Sequence, residues 1–176
     1  MNVRITTLVA SIVCAGAIVA AQAQVTKESV PGIVNFAKVE TTVACAGATT
    51  PAALAEVKRM GYASVINLRQ ASEPGAEIEA SAAAAKAAGL NYIHIPFNTA
   101  SPDAAVVDTF IKAVTDKANQ PAFIHCASAN RAAALWMVKR IAVDKWDVER
   151  ASTEATALGL TSPALKAFAI EQAQKR

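Results

Sequence analysis

The chain has 176 residues, 53% of them hydrophobic and 18% charged, with a formal charge of +3. Its lysines and arginines are interspersed with acids, which excludes the clustered basic groove that a nucleic-acid partner requires. Two histidines and three cysteines form no cluster with metal-ligand spacing and no disulfide scaffold, so neither a metal nor another cofactor is expected.

Met1 to Arg4 give a positive start, Ile5 to Ala20 an uncharged run, and Ala21-Gln22-Ala23 a small-x-small cleavage pattern. This predicts a signal peptide over 1–23; the apolar run is short for a membrane span of about 20 residues. Cys14 follows Val13, not the small residue a lipoprotein signal carries there, and an uncleaved N-terminal anchor is the alternative to cleavage. Export to the periplasm or the medium is expected, without stable membrane insertion after cleavage. A single domain over 24–176 remains, long enough to bury a core of its own.

Within that domain "KVETTVAC" alternates, which places a strand inside 34–44. Thr50-Pro51 opens a helix that Gly61 ends. Ala63 to Leu68 is a short apolar run suited to a buried parallel strand. Ala76 to Ala88 is helix-forming and stops at Gly89; Asn91 to Ile95 is a strand closed by Pro96. Ser101-Pro102-Asp103 caps a helix running to about Ala118, and Pro121 to His125 is a further strand. A helix from about Asn130 to Val143 carries Trp136 and Met137 on its core side. Shorter helices over 148–158 and 162–174 complete the chain. The alternation predicts an α/β fold: a central, mainly parallel sheet of about four to five strands flanked by helices. Ligands in such sheets sit beyond the carboxyl ends of the strands, which is where His125-Cys126 falls.

The segment "PAFIHCASANR" is where chemistry is expected. A thiolate is the nucleophilic form of cysteine and needs positive potential to form near neutral pH. Ala127-Ser128-Ala129 has no bulky side chain to stop successive amides turning inward around an anion. The helix starting near Asn130 aims its N-terminal dipole at the same point, and Arg131 can fork two donors onto an oxyanion. The structural alternative is a small buried Cys126, with His125 merely ending a strand and Arg131 solvated.

"IHCASANRAAAL" resembles the His-Cys…Arg loop of cysteine-based phosphatases. With "TTPAALAEVKRMGYASVINLRQASE", "AAGLNYIHIPFN" and "DVERASTEATALGL" it is similar to the tyrosine/dual-specificity-phosphatase-like domain of the beta-lactamase-hydrolase-like family, over nearly all of 34–160. The resemblance implies a compact cysteine-phosphatase-like fold. Cys126 would attack phosphorus, Arg131 and the loop of His125, Ala127, Ser128, Ala129 and Asn130 would hold the phosphoryl oxygens, and water would hydrolyse the phosphocysteine. The partner implied is a phosphorylated substrate, protein or small molecule.

Four departures bear on activity. Tyrosine and dual-specificity phosphatases place five residues between Cys and Arg, and this loop has four, a ring size also used by rhodanese-like sulfurtransferases. Ala132 stands where phosphatases usually carry Ser or Thr, and Ala129 where Gly is usual. No acid sits directly after "IHIPF"; Asp103 is the nearest carboxylate, and it is equally suited to start a helix. The alternatives to a phosphatase are therefore a sulfurtransferase carrying a persulfide on Cys126, and a domain that binds an anionic ligand without turnover.

Arg69 follows the strand "VINL" and projects at the same sheet end as Cys126, so it is a candidate site-lining residue, with Glu73 either its partner or solvated. His94 faces away from Ile93 and Ile95 and reads as a structural partner. In the family resembled, the loop after Cys45 lies beside the active-site cradle. Cys45 is therefore a candidate redox partner able to form a disulfide with Cys126, the alternative being a buried small residue.

Overall fold

The computed structural model describes residues 25–176; the expected signal peptide over 1–23, with Cys14, lies outside the described residues. Six strands form one sheet: β1 (Val25–Lys27), β2 (Ala37–Val39), β3 (Val43–Ala46), β4 (Ser64–Asn67), β5 (Asn91–His94) and β6 (Ala122–His125). Their spatial order is β1-β2-β3-β6-β4-β5. The four strands from β3 to β5 run parallel, whereas β2 and β1 are added antiparallel at one edge. The sequence led us to expect four to five strands. The excess comes from the segment around 34–44, which folds as a hairpin turning at Glu40 (φ 60°), and from β1, three residues too short and too exposed to show a period.

Every residue of β3, β4 and β6 is buried, as expected of parallel strands covered on both faces. One face is covered by a 3-10 turn (Pro51–Ala53) leading into α1 (Leu54–Arg59), and by α2 (Ile78–Ala87). Phe36, Tyr62 and Phe123 fill that side with contacts between their rings. The other face carries α3 (Ala104–Thr115), α4 (Asn130–Ala142), α5 (Val148–Leu158) and α6 (Pro163–Gln174). Trp136 and Met137 are core residues there, with Phe97 and Phe110. Helix α4 is buried along nearly its whole length, because it packs between the sheet and the α5/α6 pair.

Side-chain caps set three helix starts: Asp103 accepts from the Ala105 amide (2.8 Å), Asp147 from Arg150 (2.8 Å) and Ser162 from Leu165 (3.3 Å). Two helices are shorter than expected. Helix α3 stops at Thr115 because Asp116 caps a separate 3-10 turn, Lys117–Asn119. Helix α2 begins at Ile78, not Ala76, because Glu77 takes a left-handed conformation (φ 45°). Among the described residues, no helix is long and apolar enough to cross a membrane.

Candidate active site

Strand β6 is the centre of the parallel array, and the chain leaves it at Cys126, whose amide still donates to the Ala46 carbonyl (3.2 Å). The loop that follows is pinned by its carbonyls: Ala127 accepts from the Ala48 amide (2.9 Å) and Ser128 from Asn35 Nδ2 (3.3 Å). Hydrogen bonding along α4 resumes at Ala133, whose amide donates to the Ala129 carbonyl (2.9 Å). The loop and first-turn amides before it are thus the unsatisfied donors of a helix N-terminus, a ready seat for an anion.

Ala129 makes the turn with φ 77°, a left-handed conformation that costs a residue with a Cβ roughly 1–2 kcal/mol. That is why glycine is usual at such a position. The side chain fits because the residue facing it at the end of α5 is Gly159, where a Cβ would come within 3.1 Å of the Ala129 Cβ. Asn130 clamps the loop from the same side, its Oδ1 accepting from the amides of Thr161 (2.8 Å) and Ser162 (2.9 Å).

Arg131 is buried, and its guanidinium is held on one side only. Nη1 donates to Glu73 Oε1 (2.5 Å) and to the carbonyls of Leu68 (3.1 Å) and Phe97 (3.0 Å), while Nη2 donates to Glu73 Oε2 (2.7 Å). Of the five N–H donors of an arginine, the Nε–H and one on Nη2 have no oxygen acceptor among the described residues, and the guanidinium also hydrogen-bonds the Cys126 side chain. These two lie on one edge of the planar group, the edge that forks onto a pair of oxyanion oxygens. The Arg131 guanidinium, above all, holds the Glu73 carboxyl down to about 2, with the Gln70 amide and Arg69 assisting against partial burial. Glu73 is therefore a fixed anion, not a proton donor. The sequence left Glu73 either a partner of Arg69 or solvated; the structure shows the Arg69 pairing, with Nε at 3.4 Å, and adds a closer contact to Arg131, 58 residues away.

A cleft of about 530 Å³ opens above the loop, bordered by Ser128, Asn130 and Arg131 on one side and by Gln70, Thr99 and Ser162 on the other. Cys126 is 1% exposed, and its side chain hydrogen-bonds the Arg131 guanidinium that borders the cleft, so the thiol sits at the floor of the cleft, not on its rim. His125 is behind the loop. Its ring stacks on Phe123 (5.7 Å), and among the described residues neither ring nitrogen makes a well-formed hydrogen bond, the backbones of Cys126 and Gly47 being the nearest partners. Burial, reinforced by the charges of Arg69 and Arg131, pushes it down to about 3, so it is neutral and does not reach a substrate.

Three further expectations shift. Arg69 does not line the cleft: its guanidinium is buried and donates to the carbonyls of Gly75 and Pro74 (2.6 Å each), while its own carbonyl bonds His94 Nε2 (2.7 Å). It shapes the 70–75 turn that presents Glu73. Asp103 is exposed and caps α3; only its neighbours Thr99 and Pro102 border the cleft. Cys45 and Cys126 are both free thiols. Cys45 is in register with Ile124, so Cys126 lies diagonally across the strand pair. Strand spacing and rise place the two Cα atoms ~8 Å apart, beyond the ~7 Å reach of a disulfide. Burial, then the neighbouring Cys126, pushes the Cys45 thiol well above its ordinary value, which keeps it protonated. Gln70, Thr99 and Ser162 were not expected in the site; only the juxtaposition of three loops brings them there.

A parallel sheet with a cysteine loop at the end of its central strand, feeding an arginine-bearing helix, defines a cysteine-based phosphatase-like fold. Residues 35–143 match the phosphatase-like domain of beta-lactamase hydrolase-like proteins, and the chain belongs to that family. No curated protein matches it. Among solved structures it is similar to P. aeruginosa TpbA, with TM-score 0.66, 18% identity, and 89% of this chain and 92% of that one covered. It is also similar to the core catalytic domain of the PP-IP phosphatase SIW14 from S. cerevisiae in complex with citrate (TM-score 0.66, 16% identity, 81% and 87% covered). A third similar structure is a cysteine-to-serine variant of P. aeruginosa TpbA in complex with phosphotyrosine (TM-score 0.61, 15% identity, 88% and 98% covered). At these identities the likeness is one of fold.

Proposed function

We propose that this protein is an exported cysteine-dependent phosphatase that hydrolyses phosphate monoesters through a phosphocysteine at Cys126. The observation that carries the reading is the edge of Arg131 left free of carboxylates and carbonyls, beside the Cys126 thiol and the amides at the start of α4. The Cys126 thiolate attacks phosphorus, and the P–O ester bond breaks with its electron pair leaving on the alcohol oxygen. Water then attacks phosphorus, the P–S bond breaks, and the thiolate and orthophosphate are released. Asp103 is assigned the proton delivered to the leaving oxygen, since its loop borders the cleft. Leaving the α3 cap costs it only about 1 kcal/mol, and a general acid returns about 10²–10⁴ in rate. The expected signal peptide supports a site of action outside the cytoplasm.

The test is phosphate release from an aryl phosphate by the full-length and the 24–176 proteins. Wild type should turn over while Cys126→Ser should not; equal, slow release by both overturns the assignment. The four-residue loop between Cys126 and Arg131 favours one other reading, a sulfurtransferase. Mass spectrometry after thiosulfate treatment separates the two, because a stable gain of one sulfur on Cys126 belongs to the second alone.

A further inference from the structure

We propose that the natural substrate is the monophosphate of a neutral, hydroxyl-rich small molecule, such as a sugar or polyol phosphate, in preference to an aromatic or multiply phosphorylated ester. The inference rests on the phosphatase reading and adds the substrate class. It comes from an inventory of what the cleft wall can and cannot contact.

Among the described residues, the only charged groups lining the cleft are Arg131 and Glu73. Arg131 has one edge without an oxygen acceptor among the described residues, enough for one phosphoryl group above the Cys126 thiol. Glu73 is a permanent anion beside it. A second phosphate on the same substrate would find no cation in the wall and would be repelled by Glu73 at short range. Arg69, the nearest other guanidinium on that turn, is buried and occupied by the carbonyls of Pro74 and Gly75.

The wall also holds no aromatic ring, so a phenyl ester would have no surface to stack on. What the wall offers is neutral hydrogen-bonding capacity. Among the described residues the Gln70 side-chain amide and the Thr99 hydroxyl have no partner, and the hydroxyls of Ser128 and Ser162 accept from Asn130 and Leu165 while their protons remain to donate. Hydroxyl and amide groups that both donate and accept are the complement of an alcohol, which does the same. A site built to bond such hydroxyls discriminates strongly against analogues that lack them.

Binding to Cys126→Ser protein, measured by calorimetry, tests the class independently of turnover. Glucose 6-phosphate should bind at least tenfold more tightly than orthophosphate or phosphotyrosine, and fructose 1,6-bisphosphate no more tightly than the monophosphate. Gln70→Leu with Thr99→Val should lower affinity for glucose 6-phosphate several-fold more than affinity for orthophosphate. Phosphotyrosine or the bisphosphate binding as well as or better than glucose 6-phosphate overturns the substrate class and leaves the phosphatase reading standing. Failure of every phosphate, orthophosphate included, overturns both.

Discussion

Helix α4 carries two buried arginines nine residues apart, and they do opposite work. Arg131, at the N-terminus, has one edge bound to Glu73 and the other free of carboxylates and carbonyls. Arg140, near the C-terminus, is engaged on every side. Its Nε and Nη2 hold Glu154 (2.7 and 3.0 Å), Nη2 also meets Glu40 (2.7 Å), and Nη1 holds Asp144 (2.9 Å). The faces of its guanidinium lie over Trp136 and Trp146 (4.6 and 4.1 Å). Both positions present a buried cation with carboxylate partners, so burial and ion pairing do not distinguish a working arginine from a structural one. The donors left over do. Arg140 ties the β2–β3 hairpin to α4 and α5, whereas Arg131 is braced by Glu73 with one edge free of oxygen acceptors.

The comparison predicts separable phenotypes. The largest effect is on stability: Arg140→Met should destabilise by about 3–5 kcal/mol, because Glu154 keeps only Trp136 Nε1 as a close partner for a buried charge. Chemical denaturation should show the loss, with activity per folded molecule retained. Arg131→Lys should do the reverse. It keeps the charge but loses the fork, and should lower kcat/KM by about 10²–10³ with a small change in Tm. Equal loss of stability in both variants would erase the distinction drawn here.

Next in size is the acid. Asn caps a helix as well as Asp does, so Asp103→Asn should leave Tm unchanged while lowering kcat on an alkyl phosphate by about 10²; no change in kcat removes Asp103 from the mechanism. The pH dependence of stability comes next. Glu73 is held at about 2 in the fold against 4.5 ordinarily, so its contribution is complete above 4.5 and is lost as pH falls toward 2. His125, held at about 3 against 6.5, also makes the fold weaken on acidification, from about 6.5 down to 3. His125→Phe keeps the ring on Phe123 and should flatten the slope of stability between pH 6.5 and 4.5; Glu73→Gln should flatten it below 4.5. The smallest effect concerns the turn: Ala129→Gly should be neutral to about 1 kcal/mol stabilising, since relief of the left-handed conformation is offset by a more flexible unfolded chain.

Much of this protein was legible in one dimension. Alternating apolar runs and helix formers, punctuated by Gly61, Gly89 and Pro96, gave the parallel α/β order, because period and punctuation are local properties. The same locality placed Cys126 and Arg131 at a strand end and a helix start, within six residues of each other. Strand β1 escaped because a three-residue strand has no measurable period, and the segment expected to hold one strand within 34–44 holds the β2–β3 hairpin. Site residues that depend on distant segments were beyond reach. Sequence proximity suggested Arg69 as one possible partner of Glu73, which it is at 3.4 Å, but could not show that the Arg131 guanidinium offers it two parallel donors. Cys45 was open between a buried small residue and a redox partner of Cys126, and only strand register, which sets the two diagonally apart, decides for the buried residue. Sequence by itself thus determined the elements, their order and the chemistry of the cysteine loop. Tertiary structure alone decided which arginine keeps an edge free of oxygen acceptors and which neutral side chains wall the cleft, since both follow from how separate loops meet over the end of the sheet.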